Sequence, residues 1–226
     1  IAGPCAVESR QSLEKTAEFL QKHKIPYLRG GAFKPRTSPH SFQGLGSNGL
    51  QILRETADKF GLKVVSEITD PRDADIFSEL ADIVQIGSRN MQNFALLQEM
   101  GKMDKPVILK RNFAATMEEF LAAAEYIANA GNTQIFLCER GIRTFEPSVR
   151  ATPDLASAAL IKQKTNLPLI MDISHSLGRK DIALPFAKAA LALGIDGLMC
   201  EVHAFPDLAL SDSAQQMSLA EFALFL

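Results

Sequence analysis

Short apolar runs alternate with longer amphipathic stretches along the whole chain. The runs at 106–109 and 168–171 are apolar at consecutive positions, which is typical of parallel strands covered on both faces. Turn residues bound each run, and the stretches between runs show the periodicity of helices. The pattern predicts strands at 1–2, 26–29, 62–66, 82–86, 106–109, 134–138, 168–172 and 195–200. It predicts helices at 10–23, 48–60, 71–80, 92–101, 115–130, 155–165, 180–193 and 214–226.

This alternation over 226 residues favours an α/β protein with the (β/α)8 TIM barrel fold, and the alternative is an open doubly wound sheet. We expect residues 1–226 to form a single catalytic barrel domain. The chain starts with Ile1 inside an apolar strand-like segment rather than with methionine, so we expect that residues have been trimmed upstream.

Polar side chains follow every predicted strand, and a barrel of this type builds its active site at the carboxyl ends of its strands. Charged residues also end strands because the chain returns to solvent there, but that explanation weakens when it is needed eight times. The arginines offer planar forks suited to phosphate and carboxylate oxygens. We therefore expect one shared mouth that binds a phosphorylated ligand and a metal ion. The residues concerned are Cys5, Arg29, Lys34, Arg36, Glu67, Arg89, Lys110, Glu139, Arg140, Asp172, His175, Glu201 and His203.

A candidate metal site combines Cys5 from the first strand end with His175, Glu201 and Asp212 from the last third of the chain. Sulfur, nitrogen and oxygen ligands together suit manganese, iron or zinc. Taken singly, Cys5 is also typical of a small buried hydrophobe and His175 of a histidine near a helix start. We rank His203 below His175 as a ligand. The remaining cysteines, Cys138 and Cys200, lie inside apolar strands and are expected in the core, whereas His23 and His40 are expected in solvent.

The composition argues against nucleic-acid-binding, membrane-spanning and disulfide-rich secreted proteins. A net charge of −2 gives no overall field that would attract nucleic acid or an acidic membrane. The apolar runs are too short to span a bilayer, and no signal-peptide pattern opens the chain. Three scattered cysteines do not resemble a disulfide framework, so we expect a cytoplasmic protein in a reducing compartment.

The segment 44–49 (GLGSNG) matches the G-x-G-x-x-G fingerprint of dinucleotide binding, with Glu67 at about the spacing of a ribose-binding acid. That fingerprint requires a strand running into its first glycine, but the Pro-rich segment 34–41 precedes it here. We expect instead a loop whose glycines let the chain turn into a helix near Asn48.

Several motifs together resemble those of the 3-deoxy-7-phosphoheptulonate (DAHP) synthases, in particular the short type I beta-like branch whose core is a bare barrel. They are 3–9 (GPCAVES), 34–39 (KPRTSP), 42–46 (FQGLG), 138–144 (CERGIRT), the segment 172–175 and 201–203 (EVH), and they span nearly the whole chain. The run at 34–37 (KPRT) is the specific part, since related 3-deoxy-octulosonate 8-phosphate synthases differ there. The segment 146–155 matches poorly, and Ile173, Ser176 and Ser213 stand where proline, alanine and glycine are common. A glycine at position 213 would matter if its backbone needed a positive φ.

The resemblance implies a shikimate-pathway transferase that condenses phosphoenolpyruvate with erythrose 4-phosphate, using a divalent metal. We expect Mn²⁺, with Fe²⁺, Zn²⁺ and Co²⁺ as alternatives. The implied metal ligands are Cys5, His175, Glu201 and Asp212. Phosphoenolpyruvate is assigned to Arg29, Lys34, Arg89, Lys110 and Arg140, and erythrose 4-phosphate to Arg36 and Thr37. The catalytic candidates are Lys34, His175, Cys5 and Glu67, with Lys34 or His175 protonating the aldehyde oxygen and Glu67 positioning water.

Other functions stay open at this stage. One is a related phosphoenolpyruvate-dependent synthase of 3-deoxy sugar acids, and another is an aldolase that forms a Schiff base on Lys110. A third is a catalytically silent barrel that acts as a binding or assembly module, partnered by a chorismate mutase-type regulatory domain. Barrels of this family often assemble, so we expect a homo-oligomer, either a dimer or a tetramer.

Overall fold

Eight parallel strands close into one barrel in the computed structural model, which describes residues 1–36 and 38–226. Neighbours in sequence are neighbours in the sheet, and β8 pairs with β1. The strands are β1 (Ala2–Gly3), β2 (Tyr27–Arg29), β3 (Lys63–Ile68), β4 (Ile83–Ile86), β5 (Val107–Lys110), β6 (Ile135–Glu139), β7 (Leu169–Asp172) and β8 (Gly197–Glu201). The predicted (β/α)8 barrel is confirmed.

Helices follow the strands and cover the outside of the barrel. They are α1 (Arg10–Lys22), α2 (Gly46–Phe60), α3 (Ala74–Leu80), α4 (Phe94–Lys102), α5 (Met117–Asn129), α6 (Leu155–Lys164), α7 (Ile173–Leu177), α8 (Ala183–Ala192) and α9 (Leu219–Phe225). Side-chain caps set several starts. Thr116 and Glu119 form a capping box at α5, and Ser218 and Glu221 form one at α9.

Some predicted boundaries are wrong. The last helix was expected from residue 214 but begins at Leu219, because short 3₁₀ turns at Pro206–Leu208 and Ser213–Gln215 fold the preceding loop over the barrel mouth. Met217 in that loop pairs with Val202 in an isolated parallel bridge. The helix expected at 71–80 opens with a 3₁₀ turn before α3 begins at Ala74.

Only the first two residues of the glycine-rich segment 44–49 form a loop, because the helix α2 already begins at Gly46. No strand among the described residues leads into it, and Gly44 has φ 90°. The helix that follows begins at Gly46, two residues before the expected start, and packs its apolar face on the barrel through buried residues that include Leu50 and Leu53.

The barrel interior is apolar below its mouth. Six strands contribute one residue each to an internal cluster, which consists of Val65, Ile83, Ile108, Cys138, Ile170 and Met199. A larger apolar cluster fills the space between the barrel and its helices. Because both layers are filled by side chains, polar groups gather at the carboxyl ends of the strands, where the site lies.

The barrel closes between β1 and β8, and we call this junction the seam. Ala2 pairs with Cys200 and Gly3 with Glu201, and the amino-terminal nitrogen of Ile1 donates to the Leu198 carbonyl at 2.9 Å. A side chain at Gly3 would overlap the Arg29 carbonyl of β2, so this position requires glycine. Within residues 1–36 and 38–226, no helix is both long and apolar enough to cross a lipid bilayer.

Candidate active site

Four potential metal ligands meet at the carboxyl end of the seam. One ligand atom from each of Cys5, His175, Glu201 and Asp212 lies within 4.8 Å of all the others. His175 Nε2 lies 3.3 Å from Glu201 Oε1 and 3.9 Å from Asp212 Oδ2, and Cys5 Sγ lies 3.5 Å from Asp212 Oδ2. The barrel thus brings together the four residues expected from the sequence, although two of them are separated by 207 positions.

Asp172 orients His175. It ends β7 and caps α7, accepting from the backbone N–H of His175 at 3.0 Å and from its ring Nδ1 at 2.8 Å. Since the Nδ1 proton is held there, Nε2 is left as the lone-pair nitrogen that faces Glu201 and Asp212. Burial lowers the pKa of His175 against the opposing effect of the neighbouring carboxylates, which keeps the imidazole neutral.

The charge states of the cluster suit a cation. Burial and the nearby Glu201 raise the pKa of the Cys5 thiol to about 12, although Lys34 Nζ lies only 3.1 Å from its sulfur. Burial alone would raise the pKa of Glu201, but the neighbouring cations, among them Arg29 and Lys34, lower it to about 2, so this carboxylate is ionised. Two carboxylates, a neutral imidazole and a thiol that needs a nearby positive charge to ionise form a donor set that fits Mn²⁺, Fe²⁺, Zn²⁺ or Co²⁺.

Buried cations surround the cluster. Arg29 is 3% exposed and donates from Nη1 to Glu201 Oε1 at 2.7 Å, while its Nε has no hydrogen-bond partner among the described residues. Lys110 donates from Nζ to Asp172 Oδ2 at 2.5 Å. Lys34 donates to the Cys5 carbonyl at 3.2 Å. Each of these cations is fixed by an oxygen of the site, so its remaining donors are available to an anionic ligand.

Above the cluster lies a cavity of about 490 Å³, a volume suited to small-molecule ligands. His175 and Asp212 lie in its wall with Glu67. Arg29, which we expected to reach the ligand, is not in the wall and lies beside Glu201. Thr37, the other residue expected to hold erythrose 4-phosphate, lies outside the described residues. The cations in the wall are Lys34, Arg36, Arg89, Lys110, Arg140, Arg143 and Arg150.

Two of these arginines were missed by the sequence reasoning. The Arg143 guanidinium stacks over the Phe113 ring at 4.5 Å from its centroid, and its backbone N–H donates to the Phe113 carbonyl. Arg150 donates from Nη1 to Asp212 Oδ2 at 3.0 Å. Arg143 belongs to the 138–144 motif and was therefore visible, whereas Arg150 lies in the segment that resembled the family poorly.

Glu67 and Arg89 come from neighbouring strand ends. Glu67 lies in β3 and accepts from Gln85 Nε2 of β4 at 3.2 Å. A side chain on Gly87 would overlap the Glu67 carboxylate, so this glycine leaves the space that the carboxylate occupies. Arg89 follows in the 3₁₀ turn Ser88–Asn90.

His203, Cys138 and Cys200, which we did not expect as metal ligands, lie outside the four-ligand cluster. His203 is buried, with Nε2 3.1 Å from Ser12 Oγ, and it is not part of the four-ligand cluster. Cys138 and Cys200 are buried among apolar side chains, as expected, and burial raises the pKa of each thiol to about 12.

The serine at position 213 does not carry the backbone strain that the sequence suggested. The residue with a positive φ is Asp212, at 49°, whereas Ser213 has a negative φ and starts a 3₁₀ turn. Aspartate tolerates the left-handed region better than most residues, so Asp212 can adopt the backbone conformation that this turn requires.

Comparison with known proteins gives consistent matches. The sequence model described as the DAHP synthetase I family matches residues 1–226. The phospho-2-dehydro-3-deoxyheptonate aldolase of Thermotoga maritima is 54% identical over 225 residues, which cover 100% of this chain and 66% of that protein. The 2-dehydro-3-deoxyphosphooctonate aldolase of Aliivibrio fischeri is 30% identical over 244 residues, covering 100% of this chain and 85% of the relative.

Solved structures are similar as well. The crystal structure of the Thermotoga maritima phospho-2-dehydro-3-deoxyheptonate aldolase superposes with a TM-score of 0.96 at 53% identity, over 100% of this chain and 66% of that one. A truncated form of the 3-deoxy-D-arabino-heptulosonate 7-phosphate synthase from Thermotoga maritima gives a TM-score of 0.92 at 48% identity, over 99% of this chain and 82% of that one. The chain therefore spans just under two thirds of the full-length Thermotoga relative.

Proposed function

Because the chain belongs to the DAHP synthetase I family, we propose that it condenses phosphoenolpyruvate with D-erythrose 4-phosphate and water. The products are 3-deoxy-D-arabino-heptulosonate 7-phosphate and inorganic phosphate. The observation that supports this most is the four-ligand cluster at the base of a cavity with seven lysine and arginine side chains in its wall. We further propose that residues 1–226 form one catalytic domain.

The cationic wall suits two phosphorylated substrates. We assign Lys34, Arg89, Lys110 and Arg140 in the cavity wall, with Arg29 beneath it, to the phosphate and carboxylate of phosphoenolpyruvate. Arg36, in the loop after β2, and Thr37, which follows it in the sequence, are assigned to the phosphate group of erythrose 4-phosphate. Fixing both substrates in one cavity supplies orientation and neutralises their charge, effects that are each worth several kcal/mol in a closed site.

In the proposed reaction, C3 of phosphoenolpyruvate forms a bond to the aldehyde carbon, and water adds to the phosphate-bearing carbon. The hemiketal phosphate then expels inorganic phosphate. A divalent cation held by Cys5, His175, Glu201 and Asp212 supplies Lewis acidity toward the aldehyde carbonyl when it is bound; we propose Mn²⁺, with Fe²⁺, Zn²⁺ or Co²⁺ as alternatives.

Lys34 is the better candidate for the proton donor. Burial would lower its pKa, but the neighbouring anions, among them the carboxylates of Glu201 and Glu67, outweigh burial and raise the pKa above its ordinary value, so Nζ carries a proton. His175 has its ring proton on Nδ1, bound to Asp172, and has none to give from Nε2. We therefore propose that Lys34 Nζ protonates the aldehyde oxygen. Glu67, held by Gln85, is proposed to orient the water.

The alternatives have less support. The 3-deoxy-octulosonate synthases are represented at 30% identity against 54% for the heptulosonate enzyme, and the 34–37 run favours the latter. A Schiff base on Lys110 would need a free amine, but its Nζ lies 2.5 Å from the Asp172 carboxylate.

The test measures phosphate release and phosphoenolpyruvate loss on adding erythrose 4-phosphate to the full chain. We expect turnover that stops after thorough chelation and returns with Mn²⁺, and that is faster than with a five-carbon aldose phosphate. Cys5→Ser should lose at least tenfold in activity, whereas Cys200→Ser serves as a buried control outside the cluster. Turnover that survives removal of all metal would refute the metal site. Binding of both substrates without turnover under any metal would favour the silent module.

We also propose that the protein assembles as a dimer or tetramer. Phe145 and Leu224 are 98% and 85% exposed, as apolar side chains in contact with a second subunit or a regulatory domain would be in an isolated chain. Light scattering on the purified chain would establish the assembly.

Three free cysteines fit a reducing compartment such as the cytoplasm.

A further inference from the structure

Gln215 bridges the two carboxylates of the ligand cluster. It lies in the 3₁₀ turn that follows Asp212 and is 4% exposed. Its Nε2 donates to Glu201 Oε2 at 2.6 Å and to Asp212 Oδ2 at 3.4 Å. An amide nitrogen has two protons, so one group serves both carboxylates.

The orientation of this amide is fixed from its other side. Arg150 donates from Nη1 to Gln215 Oε1 at 2.9 Å, and an arginine has no acceptor to offer. If the amide were turned over, its NH₂ would face the guanidinium and its oxygen would face two carboxylates. Both contacts would be repulsive, so the oxygen faces Arg150 and the nitrogen faces the ligands.

This contact selects which oxygen of Glu201 faces the site. Oε2 is held by Gln215, whereas Oε1 faces His175 Nε2 at 3.3 Å and accepts from Arg29. Asp212 lies in the loop between β8 and α9 with a left-handed backbone, and its Oδ2 also accepts from Arg150 at 3.0 Å. The amide ties this loop ligand to the rigid end of β8.

A neutral donor suits this place. Two ionised carboxylates held close together repel each other, and a lysine or arginine at position 215 would cancel the negative charge that attracts a cation. Glu201 already accepts from Arg29 and Asp212 from Arg150, and the amide holds the two carboxylates together without adding a third cation. We propose that Gln215 is a positioning residue that sets the affinity of the site for its divalent metal, an inference that rests on the metal-dependent function proposed above.

The test measures metal affinity rather than turnover. The full chain is stripped of metal, and Mn²⁺ binding is followed by the electron paramagnetic resonance signal of free Mn²⁺. Gln215→Leu keeps the approximate size of the side chain but removes the donor, and we expect a 10- to 100-fold rise in the Mn²⁺ dissociation constant. Gln215→Ser, which leaves room for water, carries the test if the leucine variant does not fold, as judged by circular dichroism.

Gln85→Leu is the matched control, because Gln85 is also buried and donates to a carboxylate, that of Glu67, outside the ligand cluster. Its Mn²⁺ affinity should stay within about twofold of the unaltered chain. Unchanged affinity in a folded Gln215 variant, an equal loss in Gln85→Leu, or no Mn²⁺ binding by the unaltered chain would each overturn the inference. An unaltered chain that binds Mn²⁺ but does not condense the substrates would instead refute the proposed function alone.

Discussion

Replacing Asp172 by asparagine should weaken metal binding and stability together. Oδ2 of Asp172 accepts from both Lys110 Nζ and His175 Nδ1, and Oδ1 accepts from the backbone N–H of His175. Asparagine has only one acceptor oxygen. If that oxygen keeps the backbone bond, its NH₂ group faces the Lys110 ammonium and the His175 ring.

The ring must then accept at Nδ1, which moves its proton to Nε2. A protonated Nε2 would donate to the Glu201 or Asp212 carboxylate 3.3 or 3.9 Å away and could no longer bind a metal without losing that proton. We expect the Mn²⁺ dissociation constant of D172N to rise by about 100-fold, which corresponds to about 2.7 kcal/mol.

Stability should fall as well, because Lys110 is buried and loses its charged partner. Removing one member of a buried ion pair costs about 3–5 kcal/mol, and the Lys110 and Asp172 side chains are only 5% and 0% exposed. Urea denaturation of the metal-free chain measures this loss. Burial would raise the pKa of Asp172, but His175 and Lys110 hold it well below its ordinary value, so the wild-type pair is charged at neutral pH.

The variant Glu139→Gln serves as a control that separates the loss of stability from the loss of metal affinity. Glu139 ends β6, is fully buried and pairs with Arg111 at 2.8 Å, but it contacts none of the four ligands. It should lose less stability than D172N, because Arg111 keeps its ion pair with Asp154 at 2.9 Å, and it should keep its Mn²⁺ affinity. If D172N bound Mn²⁺ within about twofold of the unaltered chain while being folded, the argument that Asp172 fixes the tautomer of His175 would be wrong.

Three further predictions test other parts of the molecule. Arg36→Met should raise KM for erythrose 4-phosphate about tenfold or more and change KM for phosphoenolpyruvate by less than about twofold, as measured by steady-state kinetics on both substrates. Gly87→Ala should lower kcat with little change in melting temperature, because the added methyl group displaces the Glu67 carboxylate; an unchanged kcat would remove Glu67 from the mechanism. Asp82 accepts from the Val64 N–H and pairs with Arg54, and although burial opposes the shift, these contacts lower its pKa. The stabilisation is therefore complete above the unfolded pKa and is lost as pH falls through the lower folded pKa, so Asp82→Asn should cost about 1–2 kcal/mol at pH 7 and nothing in strong acid, as urea denaturation across pH would show.

The barrel and the proximity of the four proposed ligands could be predicted from the sequence. Apolar runs such as 106–109 mark strands with polar residues at their ends, and closure of a parallel barrel must bring those ends to one mouth. Cys5 and Glu201 could therefore be placed together without coordinates, because β1 and β8 become neighbours on closure.

Other features depend on tertiary packing that leaves no period in the sequence. The helix α7 has only five residues, too few for a helical pattern to show, yet its first turn presents His175 to the site. Arg150 and Gln215 reach Asp212 from separate loops, and neither loop has a regular pattern from which that contact could be read. The sequence raised the question of a positive φ at position 213, where the family commonly has glycine, but the residue with a positive φ is Asp212. The absence of a glycine from a motif does not show which neighbouring residue adopts the left-handed backbone.

Because the four proposed ligands meet at the seam, metal binding should also affect the stability of the barrel. One proposed ligand stands at residue 5 and the others lie between residues 175 and 212, so an ion bound by all four acts as a cross-link between the first and the last strands of the barrel. The loop closed by Cys5 and Asp212 spans 207 positions, and a cross-link over that length removes about 5 kcal/mol of conformational entropy from the unfolded chain. β1, which has only two residues, holds its side of the closure with few backbone hydrogen bonds of its own. Metal loss should therefore release β1 first and expose it to proteases before the rest of the barrel opens.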